Sequence, residues 1–166
     1  MKGSVFANLI TIARKERGIS QTEACELICI GDPATLSKWE TGAVVPSEEM
    51  VIKLMESYED PIIGYIYLQE CTKLGQRLLP PVLLSELDNL ALNFQYEFED
   101  VKEMRRDILE IARDGVVDEE EKPRWLQIQR HSKGLFCTLL PMMIRNFDKI
   151  KGPYKAATLE ELTKKL

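Results

Sequence analysis

Between residues 4 and 61 the chain is cut repeatedly by helix stop and start signals, and this punctuation leaves room for little but short packed helices. Phe6, Leu9, Ile10 and Ala13 mark one face of a first helix, which Gly18 is placed to end. Ser20 and Glu23 form an S-x-x-E capping box that opens a second, continued by Ala24, Leu27 and Ile28. Gly31 breaks that helix. Asp32 and Pro33 open a third, as N-cap and first helical residue. Leu36 and Trp39 then face inward, Thr35, Ser37 and Lys38 face outward, and Gly42 closes the helix. Ser47 leads into a fourth helix with Met50, Val51, Leu54, Met55 and Tyr58 on its buried side. A fifth runs from Pro61 to about Leu78 with Ile63, Ile66, Leu74 and Leu78 inward.

The prolines of LLPPVLLS, residues 78–85, mark a boundary. Beyond it a long amphipathic helix is expected from about Leu83 to Arg113, with Leu90, Phe94, Phe98, Ile108 and Ile111 in its stripe. A second is expected from Glu119 to about Asn146, with Trp125, Ile128, Leu139 and Met143 in its stripe and Pro141 disturbing one turn. The short connection requires the two to pack antiparallel. That connection, Asp114 to Glu121, matches the second half of a calcium loop. The first half fails, because Glu110 and Ala112 would occupy ligand positions. Gly115 ending one helix and Asp118 capping the next is the better reading. The expected fold is therefore all-α: a five-helix domain over 1–80, a helical hairpin over 81–150, and a tail over 151–166. The hairpin's stripes are wide and need a third surface. The N-terminal domain, the tail TLEELTKKL or a second copy would each serve, and a homodimer is favoured because two-fold dimers are the commonest oligomers.

Composition excludes several classes. The 166 residues are 45% hydrophobic and 30% charged, a globular balance, with no apolar run of bilayer length. The N-terminus lacks the apolar core of a signal peptide, so a cytoplasmic location is expected. Cys25, Cys29, Cys71 and Cys137 sit in helical segments and read as small buried residues. With His131 as the single histidine, no metal site, cofactor or small-molecule ligand is expected. No paired His/carboxylate site, nucleophile motif or phosphate loop is evident, so no enzyme is expected. The formal charge of −5 argues against nucleic-acid binding, since DNA affinity comes largely from Lys and Arg. Residues 1–60 hold six basic and ten acidic residues, although four of the bases lie between Arg14 and Lys38.

The run from Gly18 to Tyr58 nevertheless resembles the Cro/repressor (XRE) helix-turn-helix family. The resemblance rests on Gly18, Ile19, Ser20, Gln21, Leu36, Ser37, Trp39, Glu40, Gly42 and Pro46. Three features depart from the family pattern: a turn one residue longer between helices two and three, Cys29 where glycine is frequent, and an acidic domain. The C-terminal half is similar, more loosely, to helical regions of such regulators in Gram-positive bacteria and their phages. The resemblance implies a sequence-specific DNA-binding regulator of the phage or mobile-element repressor type, binding double-stranded DNA as a dimer. The third helix would enter the major groove, offering Pro33, Ala34, Thr35, Ser37 and Lys38, with Gln21 near the phosphates. Pro33 and Ala34 make no bidentate base contact, though they suit a thymine methyl. The competing reading is an adaptor or anti-repressor that keeps the fold and binds protein.

Overall fold

The computed structural model describes residues 4–145, and over these the chain is all-helical. It divides into two compact units, one built on the chain up to Pro81 and the other beginning at Val82.

The first unit holds α1 (Val5–Glu16), α2 (Gln21–Leu27), α3 (Pro33–Glu40), α4 (Glu48–Ser57), α5 (Ile62–Cys71) and α6 (Lys73–Leu78). The anticipated caps are in place. Ser20 and Glu23 close a reciprocal capping box, Asp32 caps α3 ahead of Pro33, and Ser47 caps α4. Gly18 and Gly42 take the left-handed conformation that ends α1 and α3, at φ 68° and 72°. α1 packs on α3 and α5, α2 on α3, and α4 on α5. Phe6, Leu9, Ile10, Ile28, Leu36, Leu54, Ile62 and Ile63 are fully buried between them. Each such side chain contributes roughly 1.5–3 kcal/mol. The α1–α5 contact has a polar anchor as well. The Glu70 carboxylate accepts from the amides of Val5 (3.2 Å) and Phe6 (2.7 Å), placing a negative charge at the start of α1.

Three expectations for this unit are corrected. The fifth helix is not continuous to Leu78: Thr72 is extended (φ −111°, ψ 140°) and restarts the chain as α6. Its hydroxyl donates to the Leu68 carbonyl (2.7 Å) and accepts from the Gly75 amide (2.9 Å), so one side chain ends α5 and caps α6. A Cβ at Gly75 would run into the Leu68 carbonyl, which reserves that position for glycine. The restart changes the exposed face, so Leu74 and Leu78 point outward, each 69% exposed. α2 ends at Leu27, with Leu27 exposed and Cys25 buried in its place. The chain reverses at Cys29 (φ 56°) rather than at Gly31, so Cys29 is exposed and shares no helix face with Cys25.

Cys29 therefore occupies a left-handed position that disfavours every side chain with a Cβ, at a cost of roughly 1–2 kcal/mol. Cys29→Gly is expected to raise the unfolding free energy by up to about 1 kcal/mol, since part of the relief is offset by the added freedom of the unfolded chain. Urea denaturation of the two proteins reads this directly, and a lower midpoint for the variant would contradict it.

The second unit holds α7 (Leu87–Glu103), α8 (Arg105–Ile111) and all but the last residue of α9 (Lys122–Ile144). The first hairpin helix starts four residues later than expected and is interrupted at Met104, which lies at ψ 1°. The antiparallel sense is borne out by the side-chain pairing. Arg124 reaches Asp107 (2.9 Å) and Glu110 (3.2 Å) on α8, whereas His131, further along α9, faces Asp100 and Glu97 on α7. Gly115 (φ 76°) makes the turn. Asp118 then accepts from the Glu121 amide (2.8 Å) while Glu121 accepts from that of Asp118 (3.2 Å), and the Asp114 carboxylate accepts from Val116 (3.1 Å). α9 runs through Pro141. Proline has no N–H for the carbonyl of Cys137, and that carbonyl accepts instead from the amide of Leu83 (3.1 Å). The hairpin's interior is thin, with Leu90, Ile111 and Ile128 buried but Tyr96, Phe98, Leu126 and Leu139 exposed. Asn146 and the tail 151–166 lie outside the described residues.

Candidate nucleic-acid interface

α3 is eight residues long, and its two faces differ completely. Leu36 (0% exposed) and Trp39 (6%) seat it in the core. Pro33, Ala34 and Lys38 are exposed, and Thr35 and Ser37 are half-buried. The sequence set Thr35, Ser37 and Lys38 outward and Pro33 and Ala34 at the helix start; of these, Pro33, Ala34 and Lys38 are the exposed ones. Behind Lys38 the backbone is held firmly. Its carbonyl accepts from the Val44 amide (3.2 Å) and from the Thr41 hydroxyl (3.2 Å).

Gln21, the sixth residue singled out, is engaged elsewhere. Its Nε2 donates to Glu40 Oε2 at 2.8 Å. Glu40 is also gripped by Arg14, whose Nε meets Oε1 at 2.6 Å and whose Nη2 meets Oε2 at 3.0 Å. The remaining arm of Arg14 donates to the Ile19 carbonyl (2.8 Å). Hydrogen bonding to Glu40 pushes the Arg14 guanidinium's pKa further up. Both side chains are nearly buried, at 10% and 6% exposure. Three helices meet in this bidentate pair: α1 through Arg14, α2 through Gln21 and α3 through Glu40. It sets the α2–α3 geometry on which any groove contact would depend. Tyr58 lies close enough to this pair for its charges to act on the phenol, and burial pushes the Tyr58 pKa up.

The sequence did not reveal this role. Arg14 counted among the bases available to DNA, and it is spent internally instead. The signal present was Glu40 within the S-x-W-E-x-G pattern, an acid beside a buried Trp that needs a cation from another helix.

The acidic residues are likewise deployed at helix starts. The Ser20 amide bonds the Glu23 carboxylate (2.7 Å), and this contact lowers the Glu23 pKa. Asp32 accepts from Ala34 (2.9 Å), the Thr35 amide bonds the Asp32 carbonyl, and Pro33 has no N–H. The first-turn amides of α3 are thus spent. Helix-start amides, a common seat for phosphate, are therefore not available there. The bases divide as sharply. Arg17 reaches Glu59 (3.7 Å) and Lys53 reaches Glu49 (3.6 Å), while among the described residues Lys15 and Lys38 make no ion pair.

Residues 10–59 match the helix-turn-helix family. No curated protein and no solved structure matches the chain. The matched stretch covers α2 and α3 with their capped turn and the buried Trp39–Glu40 pair, so this part of the chain is a helix-turn-helix domain of the XRE type. Such a domain marks a DNA-binding transcription regulator. Among the described residues no helix is long and apolar enough to cross a membrane.

Proposed function

We propose that this protein is a sequence-specific DNA-binding regulator of the phage or mobile-element repressor kind, acting in the cytoplasm as a homodimer. The observation that carries the reading is the outward face of α3. It presents Pro33, Ala34 and Lys38 to solvent from a helix whose orientation is set by Trp39 and the Arg14–Glu40 pair. Lys38 is the one long polar side chain among the five, so it carries the phosphate or guanine contact. Pro33, Ala34 and Thr35 offer methyl-sized contacts suited to thymine. Gln21 acts by positioning, through Glu40, rather than by direct reach.

The test is a binding titration of wild type and Lys38→Ala against a selected duplex at several salt concentrations. Lys38→Ala is expected to weaken binding and to flatten the dependence of log K on log salt by about one unit. If Lys38 reads a base, discrimination at one base pair falls by ~1–3 kcal/mol. Wild type showing no preference over random duplex at low salt would overturn the reading. The carboxylates at the starts of α2, α3 and α4 would then favour a protein-binding adaptor.

Dimerisation is assigned to the hairpin over 81–150. Its support is the exposed apolar side chains, including Phe98 (46%) and Leu139 (38%), on a unit that buries few of its own. Phe98→Glu and Leu139→Glu are each expected to convert a dimer to monomer, read by light scattering. Unmodified protein that is monomeric at micromolar concentration would contradict this. Dimeric binding places half-sites about one helical turn apart or a multiple of it.

A further inference from the structure

Midway along the hairpin three groups with ligand chemistry converge. Glu97 and Asp100 lie three apart on α7 and share a face, where His131 of α9 meets them. His131 Nδ1 is 3.1 Å from Asp100 Oδ2 and 3.4 Å from Glu97 Oε2. One ligand atom from each residue lies within 4.8 Å of the other two. Nδ1 is shielded from solvent yet makes no hydrogen bond, because neither oxygen lies in the direction of a ring N–H.

We propose that Glu97, Asp100 and His131 form a three-ligand site for a divalent transition cation of the zinc kind, clamping α7 to α9. The distances suit it: for metal–ligand bonds of about 2.0–2.1 Å at tetrahedral angles, neighbouring ligand atoms stand about 3.3 Å apart. An ion shared by all three also accounts for the off-line oxygens, since each ligand points at the ion and not at its neighbour. Charge argues the same way. Two carboxylates face one another across this short span, and among the described residues neither pairs with Lys or Arg, the nearby Lys102 being engaged by Glu99. A divalent cation would offset both charges at once. A third observation comes from Gly134, one turn along α9, where a Cβ would run into the Glu97 carboxylate. A glycine inside a helix is unfavourable in itself, and here it is what lets Glu97 lie against α9. One imidazole and two carboxylates suit Zn(II), Fe(II) or Mn(II) better than the all-oxygen preference of Mg(II) or Ca(II). The set leaves a coordination position for water. A single histidine gives no metal motif in the sequence, because the carboxylates that meet His131 lie on the facing helix.

The site stands whether or not the chain reads DNA, and it is tested on the full chain by calorimetric titration with zinc in metal-free reducing buffer. Cobalt(II) absorption reports the ligand type, and circular dichroism verifies the fold of each variant. One ion per chain is expected, with a raised unfolding midpoint and no comparable effect of magnesium. His131→Gln and the half-exposed Asp100→Asn are expected to abolish stoichiometric binding. Gly134→Ala keeps every ligand but displaces Glu97, so it is expected to weaken binding roughly 10–100-fold, as loss of a supporting contact does. Absence of stoichiometric binding would overturn the proposal. So would binding that survives His131→Gln with thiolate-to-cobalt charge transfer, which places the ion on the cysteines.

Discussion

Arg14→Ala is expected to cost the N-terminal domain about 3–5 kcal/mol, the penalty for removing one partner of a buried ion pair. Small domains have only about 5–15 kcal/mol in total, so the variant loses a large share of its stability. The loss has little to do with the attraction between the charges. Glu40 is left nearly enclosed, with the Gln21 amide as its remaining side-chain donor, and the Ile19 carbonyl loses its partner as well. Replacing both members with apolar residues, Arg14→Met with Glu40→Leu, is therefore expected to recover most of the stability, because no buried charge remains. Urea denaturation of the single and double variants separates these outcomes. A loss under about 1 kcal/mol for Arg14→Ala, the range of an exposed pair, would contradict the account. The stable double variant should still bind DNA weakly, since Gln21 would no longer be tied to α3.

Trp39→Ala is expected to cost about 3–5 kcal/mol and to abolish DNA binding by a different route. Trp39 is 6% exposed on a helix of eight residues whose other fully enclosed side chain is Leu36. Truncation opens a cavity beneath α3 and removes half of its seat, so the outward side chains of α3 lose their frame. The contrast with Lys38→Ala is the informative comparison: Lys38 is exposed and makes no ion pair among the described residues, so its loss should alter binding while leaving the unfolding midpoint unchanged. Near-ultraviolet circular dichroism and urea titration of the two variants measure the difference. An unchanged midpoint for Trp39→Ala would mean that α3 is held by something other than its apolar face.

Much of this architecture is legible in the order of the amino acids. Ser20 with Glu23, Asp32 with Pro33, Ser47, Gly18, Gly42 and Gly115 each sit where the sequence places them. Where the sequence misled, a competing local device had won. Thr72 interrupted an apolar periodicity that otherwise reached Leu78, because its hydroxyl both ends α5 and caps α6. Cys29 took a left-handed turn normally given to glycine, a conformation that residue type does not announce.

The candidate interface divides along the same line. The exposure of Ala34 and Lys38 follows from the spacing of Leu36 and Trp39, since helical period alone decides which side chains oppose an apolar pair. The pairing of Arg14 and Gln21 with Glu40 does not follow from any spacing. Arg14 and Glu40 are 26 residues apart, and His131 is 31 or more from its carboxylate partners. Caps and helix faces are interactions among residues within one or two turns, and near neighbours in the chain specify them. Whether a charged side chain meets water, a phosphate or a buried partner is settled when the helices pack, because desolvation rewards pairing only between groups that the tertiary fold has brought together.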